Sequence, residues 1–207
     1  MDSHTLTARW VVPVAGPPLD RGVVTVEPHG TRAADTDLGD VAIIPGLVNA
    51  HTHLDLSGAR GLIPPTSPDR FTDWLRGVIA YRRGRSAADV AADVRAGLAE
   101  CLRFGTTLVG DVTVGAASWS AVREAPIRAK LFWELIGLTR ERFTAALNEA
   151  DEKTGLDWRD RDEHPGTPWC RWSFSPHAPY SVHHASALDL LNGVLDVCAI
   201  HLAESPG

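Results

Sequence analysis

The sequence predicts an α/β protein, a parallel sheet carrying helices on its outer side, preceded by part of a small β-domain. Three observations predict it. From residue 41 onward, short apolar runs alternate with helical segments. Those runs are apolar throughout rather than alternating, as strands buried on both faces are. The first forty residues have a different rhythm, of short strands and Gly/Pro turns. The later strands number five, near Leu47, Leu108, Phe132, Trp172 and Ile200. They suit about the first five βα units of a partial (β/α)8 TIM-type barrel, or an open doubly wound sheet. No Gly-rich phosphate loop follows the first of them, which weighs against a nucleotide-binding version of the open sheet.

Taken in order, Leu6 to Val14 reads as a strand, Gly16-Pro17-Pro18 as a turn and Gly22 to Glu27 as a second strand. Pro28 to Asp40 is polar and reads as a loop. Two or three strands cannot bury a face alone, so this opening is only part of a domain. Val41 to Ala50 reads as one apolar strand. Helices follow over Phe71 to Arg82 and Ala87 to Phe104. The second has Val90, Val94, Leu98 and Cys101 on one face, Ser86 as its N-cap and Gly105 as its stop. Then come a strand from Thr106 to Val112, a strand from Ala129 to Ile136 and a helix from Arg142 to Glu152. Arg171 to Ser175 is a strand, Ala185 to Val194 a helix and Val197 to Leu202 the fifth strand. The chain stops at Gly207 with no helix after it, as a barrel truncated after strand five would.

The bulk numbers exclude several classes. A formal net charge of −6 and no basic stripe argue against a nucleic-acid partner. The three cysteines are scattered and form no CxxC pair, which fits a reducing compartment. The N-terminus shows no secretory leader and no run long enough to span a bilayer, so a cytoplasmic protein without a membrane partner is expected. A homo-oligomer is left open.

Three places could carry chemistry. His51 and His53 are two apart at a strand's end, so their imidazoles project from one face and could chelate one Zn²⁺ or Fe²⁺. A bare HxH could equally be two hydrogen-bonded polar residues. His177, within Ser175-Pro-His-Ala-Pro-Tyr180, ends the fourth strand, where prolines would fix an irregular turn; alone it could be a solvated loop residue. His183 and His184 read as ordinary residues at a helix start. His201 ends the fifth strand, and Glu204 follows three residues later, where it could move protons once the strand has ended. Histidines ending strands one, four and five would share one rim. Asp111 and Glu134 could line a pocket there, or be buried carboxylates satisfied by backbone donors or an arginine. Trp74 and Trp133 read as core.

The ordered segments PGLVNAHTHLDLSGARG, FGTTLVGDVT, SPHAPYSV and HLAES resemble the amidohydrolase superfamily. They are most similar to its cytosine deaminase, chlorohydrolase and S-adenosylhomocysteine deaminase-like branch. The resemblance implies that residues 1–45 are the first part of a β-sandwich and 46–207 the N-terminal portion of a (β/α)-barrel. It implies one divalent metal, zinc before iron, on His51, His53 and His201, with an aspartate from an eighth strand. WSFSPHAPY lacks the lysine that bridges two metals in relatives, which favours a single ion. Glu204 would be the catalytic acid/base, and His177, Asp55 and Glu134 would contact a small-molecule substrate. Asp55 stands where relatives often carry glutamate. The implied activity is hydrolysis of a non-peptide carbon–nitrogen bond: deamination of an aminated heterocycle or nucleoside-like compound by metal-activated water. A chlorohydrolase, a cyclic-amide hydrolase and a catalytically incomplete fragment are the alternatives.

Overall fold

The computed structural model describes residues 4–26, 35–154, 166–167, 169–193 and 197–203. The chain divides into two units, Met1–Gly46 and Leu47–Gly207.

In the first unit, β1 (His4–Val11) is central to a four-stranded sheet. It pairs antiparallel with β2 (Leu19–Val26), and two short strands, β3 (Thr36–Asp37) and β4 (Ala42–Ile43), lie parallel to it. The segment read as a loop therefore contributes β3. Ala8 and Val11 are buried, while Trp10, Leu19 and Val23 stay exposed.

In the second unit, β5 (Leu47–Thr52), β6 (Thr106–Thr113), β7 (Arg128–Leu135) and β9 (Cys170–Pro176) form a parallel sheet in that order. The two-residue β8 (Gly166–Thr167) pairs antiparallel with β9 at the edge. This is the α/β architecture that the sequence predicts. The single run Val41 to Ala50 is in fact two strands in two sheets. Pro45 has no N–H for a ladder, and the chain changes partner from β1 to β6 across Pro45-Gly46.

β7 and β9 are buried on both faces, whereas β5 stays largely exposed. Leu131, Trp133 and Leu135 join the core cluster with Trp172 and Phe174, while Phe132 and Glu134 are buried on the other side. The helices α1 (Phe71–Arg83), α2 (Ala87–Arg103), α4 (Arg140–Thr154) and α5 (His184–Gly193) lie where the sequence places them, within a residue or two; Val194 is outside the described residues. Ser86 caps α2 reciprocally with Asp89, and Gly105 takes a φ of 80° beyond its end. The helix α3 (Ala117–Glu124) has no counterpart in the sequence reading. It is two turns long, has no side-chain cap, and is held by burial of Ala121 and Val122.

Two further expectations need correction. Trp133 is core, but Trp74 is 38% exposed, because α1 buries only Val78. Residues 197–203 run beside β9 without becoming a strand. Their ties are Ala199 N–H to the Phe174 carbonyl (3.2 Å), His201 N–H to the His177 carbonyl (2.8 Å) and Ser173 Oγ to the Val197 carbonyl (2.6 Å). A side-chain hydroxyl thus takes a carbonyl that a ladder would use, and no described strand lies on the segment's other side. Among the described residues, no helix is long and apolar enough to cross a membrane.

Candidate metal centre

The site lies where the parallel strands end. Thr52 pairs with Asp111 at the end of β5, and His53 leads into a 3-10 turn over Leu54–Ala59. His177 immediately follows β9, its N–H donating to the Leu135 carbonyl at 3.0 Å. The ends of β5, β7 and β9 bring His51, His53, Glu134 and His177 together, and the His201 N–H bond to the His177 carbonyl adds His201 to them.

The ligating atoms of His51, His53 and His201 lie within 4.8 Å of one another. His53 Nε2 is 3.1 Å from His201 Nε2. Two nitrogens each roughly 2.0–2.1 Å from one ion, about 100° apart, would be separated by about that distance. The His201 ring is set by its other nitrogen: Nδ1 lies 3.1 Å from the His177 carbonyl. A carbonyl can only accept, so the proton is on Nδ1, and a bare Nε2 turns toward His53. His53 is held well below the ordinary histidine range, at about 3, first by burial and then by the Arg82 guanidinium and the His201 and His51 rings. It stays neutral at any ordinary pH, as a metal ligand must. Donor type and spacing fit a divalent ion.

Around these rings is a second layer of charge. Arg82, in the last turn of α1, donates from Nε to Asp55 Oδ2 (2.9 Å) and from Nη2 to Asp55 Oδ1 (3.3 Å). Its Nη2 is also 3.3 Å from His53 Nδ1, and its Nη1 is 3.5 Å from Glu134 Oε2. Asp55, expected at the substrate, is thus buried with both oxygens held by arginine. Glu134 is buried too, and its Oε1 lies 3.9 Å from His177 Nε2. His177 Nδ1 faces Ser181 Oγ at 2.7 Å, so the turn that carries this histidine also orients it. Glu134, His177 and His201 form a second group whose ligating atoms lie within 4.8 Å of one another.

The remaining expectations sort readily. Asp111 accepts the Leu54 N–H on Oδ1 at 2.8 Å, the backbone-donor alternative for one of its two oxygens, while Oδ2 is buried without a hydrogen bond among the described residues, and burial raises its carboxyl to about 7. His183 lies against Ser186 at 2.9 Å, and His184 donates to the Pro179 carbonyl at 2.6 Å, so both are locally satisfied. Glu204 lies outside the described residues. Arg82 is the residue that sequence reasoning missed. An arginine closing a helix reads as a solvated cation favoured by the helix dipole, and nothing in the local pattern reveals two buried carboxylates beneath it.

Comparison with known proteins adds three findings. Residues 42–187 match the amidohydrolase family. The chain is 30% identical to a 5-methylthioadenosine/S-adenosylhomocysteine deaminase of Moorella thermoacetica, covering 95% of this chain and 48% of that protein. It is 32% identical to an aminodeoxyfutalosine deaminase of Deinococcus radiodurans, covering 86% and 40%. The chain thus spans about half the length, or less, of the curated relatives it matches. Among solved structures, Helicobacter pylori aminofutalosine deaminase in complex with methylthio-coformycin superposes with a TM-score of 0.74 at 19% identity, covering 97% of this chain and 51% of that one. A zinc-bound adenosine deaminase from Xanthomonas campestris gives 0.72 at 23% identity, covering 98% and 50%. Both are likenesses of fold.

Proposed function

The chain belongs to the amidohydrolase family, and from that premise we propose that it is the half of a metal-dependent deaminase carrying three metal-binding histidines, and that its substrate is a nucleoside bearing an aminated purine. The observation that carries this is the approach of His53 and His201, Nε2 to Nε2 at 3.1 Å, with His51 completing a three-imidazole group. The nucleoside substrate is supported by the curated relatives, which are named as deaminases of such compounds.

Zinc, once bound, would supply Lewis acidity that makes water a nucleophile near neutral pH. The protein's own residues do the rest. His51, His53 and His201 hold the ion. His177, oriented by Ser181, and Glu134, fixed by Arg82, form a polar wall for the heteroatoms of the substrate. Glu204 transfers a proton to the ring nitrogen as ammonia departs. Asp55 acts on the site through Arg82.

The test is ammonia release by the zinc-loaded full chain from 5-methylthioadenosine, S-adenosylhomocysteine and aminodeoxyfutalosine. Turnover of at least one is expected. Chloride release from chlorotriazines or ring opening of cyclic amides, without ammonia from any nucleoside, would overturn the reading. Glu204→Gln should retain zinc and lose turnover by about 10²–10⁴-fold; near-normal turnover would remove Glu204 from its role.

A further inference from the structure

The site contains two overlapping sets of donors, and they cannot both be filled. His201 belongs to each. Its Nδ1 is committed to the His177 carbonyl, which leaves Nε2 as its only ligating atom. A divalent ion must therefore choose between His51, His53 and His201 on one side and Glu134, His177 and His201 on the other. Donor chemistry alone does not decide it, because a carboxylate with two imidazoles is as serviceable a zinc set as three imidazoles.

Arg82 separates the two. Its guanidinium is always charged and touches the Glu134 carboxylate directly, through Nη1 at 3.5 Å from Oε2. Toward the three-histidine set the same guanidinium meets His53 Nδ1, with the imidazole ring standing between it and the ligating Nε2. A dication on Glu134 would have to share one carboxylate with the arginine, which contacts Oε2, whereas a dication on Nε2 would share none. Asp55 holds Arg82 in place with two hydrogen bonds, and its own side chain is only 5% exposed. Glu134, 2% exposed at its side chain, needs a cation beside it, because a buried carboxylate left uncompensated is costly. Arg82 meets that need without metal.

We infer that Arg82 is a positioning residue that selects the metal position. By satisfying Glu134 it keeps that carboxylate out of the ligand set and directs the ion to His51, His53 and His201. The inference rests on the three-histidine reading above. Without Arg82, the ion itself becomes the available partner for Glu134 and moves toward Glu134, His177 and His201.

The test is a set of zinc affinities measured on the full chain by competition with a chromophoric chelator. With Arg82 present, His51→Ala should weaken zinc by about tenfold or more, and His177→Ala by no more than about twofold. In an Arg82→Met background the ranking should invert, and adding Glu134→Gln to Arg82→Met should restore the original order. Arg82→Lys keeps the charge with a shorter reach, and should shift sensitivity toward His177 in the same direction by a smaller factor. This variant carries the test if Arg82→Met does not fold. If His51→Ala leaves zinc affinity unchanged in the Arg82 protein, the three-histidine reading itself fails. If His51 matters there but the ranking survives the loss of Arg82, only the role of Arg82 is refuted.

Discussion

Asp111 lies beside the candidate site, and burial governs its titration. It is fully buried at the end of β6, and burial raises its carboxyl from 3.8 to about 7 against the effect of the Leu54 N–H. With a folded value above the unfolded one, the folded protein binds the proton more tightly. The stabilisation is complete below about pH 4 and is lost as pH rises through about 7, by an upper figure on the order of 4 kcal/mol. Asp111→Asn removes that dependence. Denaturant unfolding at pH 5 and pH 8 should therefore show the variant gaining on the parent at the higher pH; an equal difference at both values would contradict the shift. The sequence showed Asp111 and Glu134 only as carboxylates in apolar runs, each open to two explanations. Which explanation applies depends on partners distant in sequence, Leu54 for one and Arg82 for the other, and local pattern does not encode them.

At the scale of elements, legibility followed the strength of the local signal. The helix α2 was readable at both ends because Ser86 and Gly105 are physical stops. The helix α3 was not, since eight residues without a cap are stable only through packing. Strand identity was readable for β6, β7 and β9, whose runs are long and apolar. The segment at 197–203 reads as strand by composition, yet it hydrogen-bonds to β9 on one side only among the described residues. The pairing of β5 with β6 has a tight point: a Cβ on Gly110 would run into the Ala50 carbonyl oxygen. Gly110→Ala should force the two strands apart at the residue before His51. A loss of roughly 1–3 kcal/mol is expected, from unfolding curves, together with weaker zinc binding. A variant as stable as the parent would show that the strands yield freely there.

For the molecule as a whole, the metal reading joins parts of the chain far apart in sequence, since His53 and His201 are 148 positions apart. An ion that binds the folded state alone adds about 2.7 kcal/mol when present at 100 times its dissociation constant. Zinc should raise the melting midpoint of the full chain, and His201→Ala should abolish the rise; an unchanged midpoint with zinc would exclude the shared site. One carbonyl gives this arrangement a further property. The His177 oxygen accepts from both the backbone N–H and the ring Nδ1 of His201, so the two histidines are tied through one carbonyl. By thermodynamic reciprocity, any factor by which a substrate analogue tightens zinc binding must equal the factor by which zinc tightens the analogue.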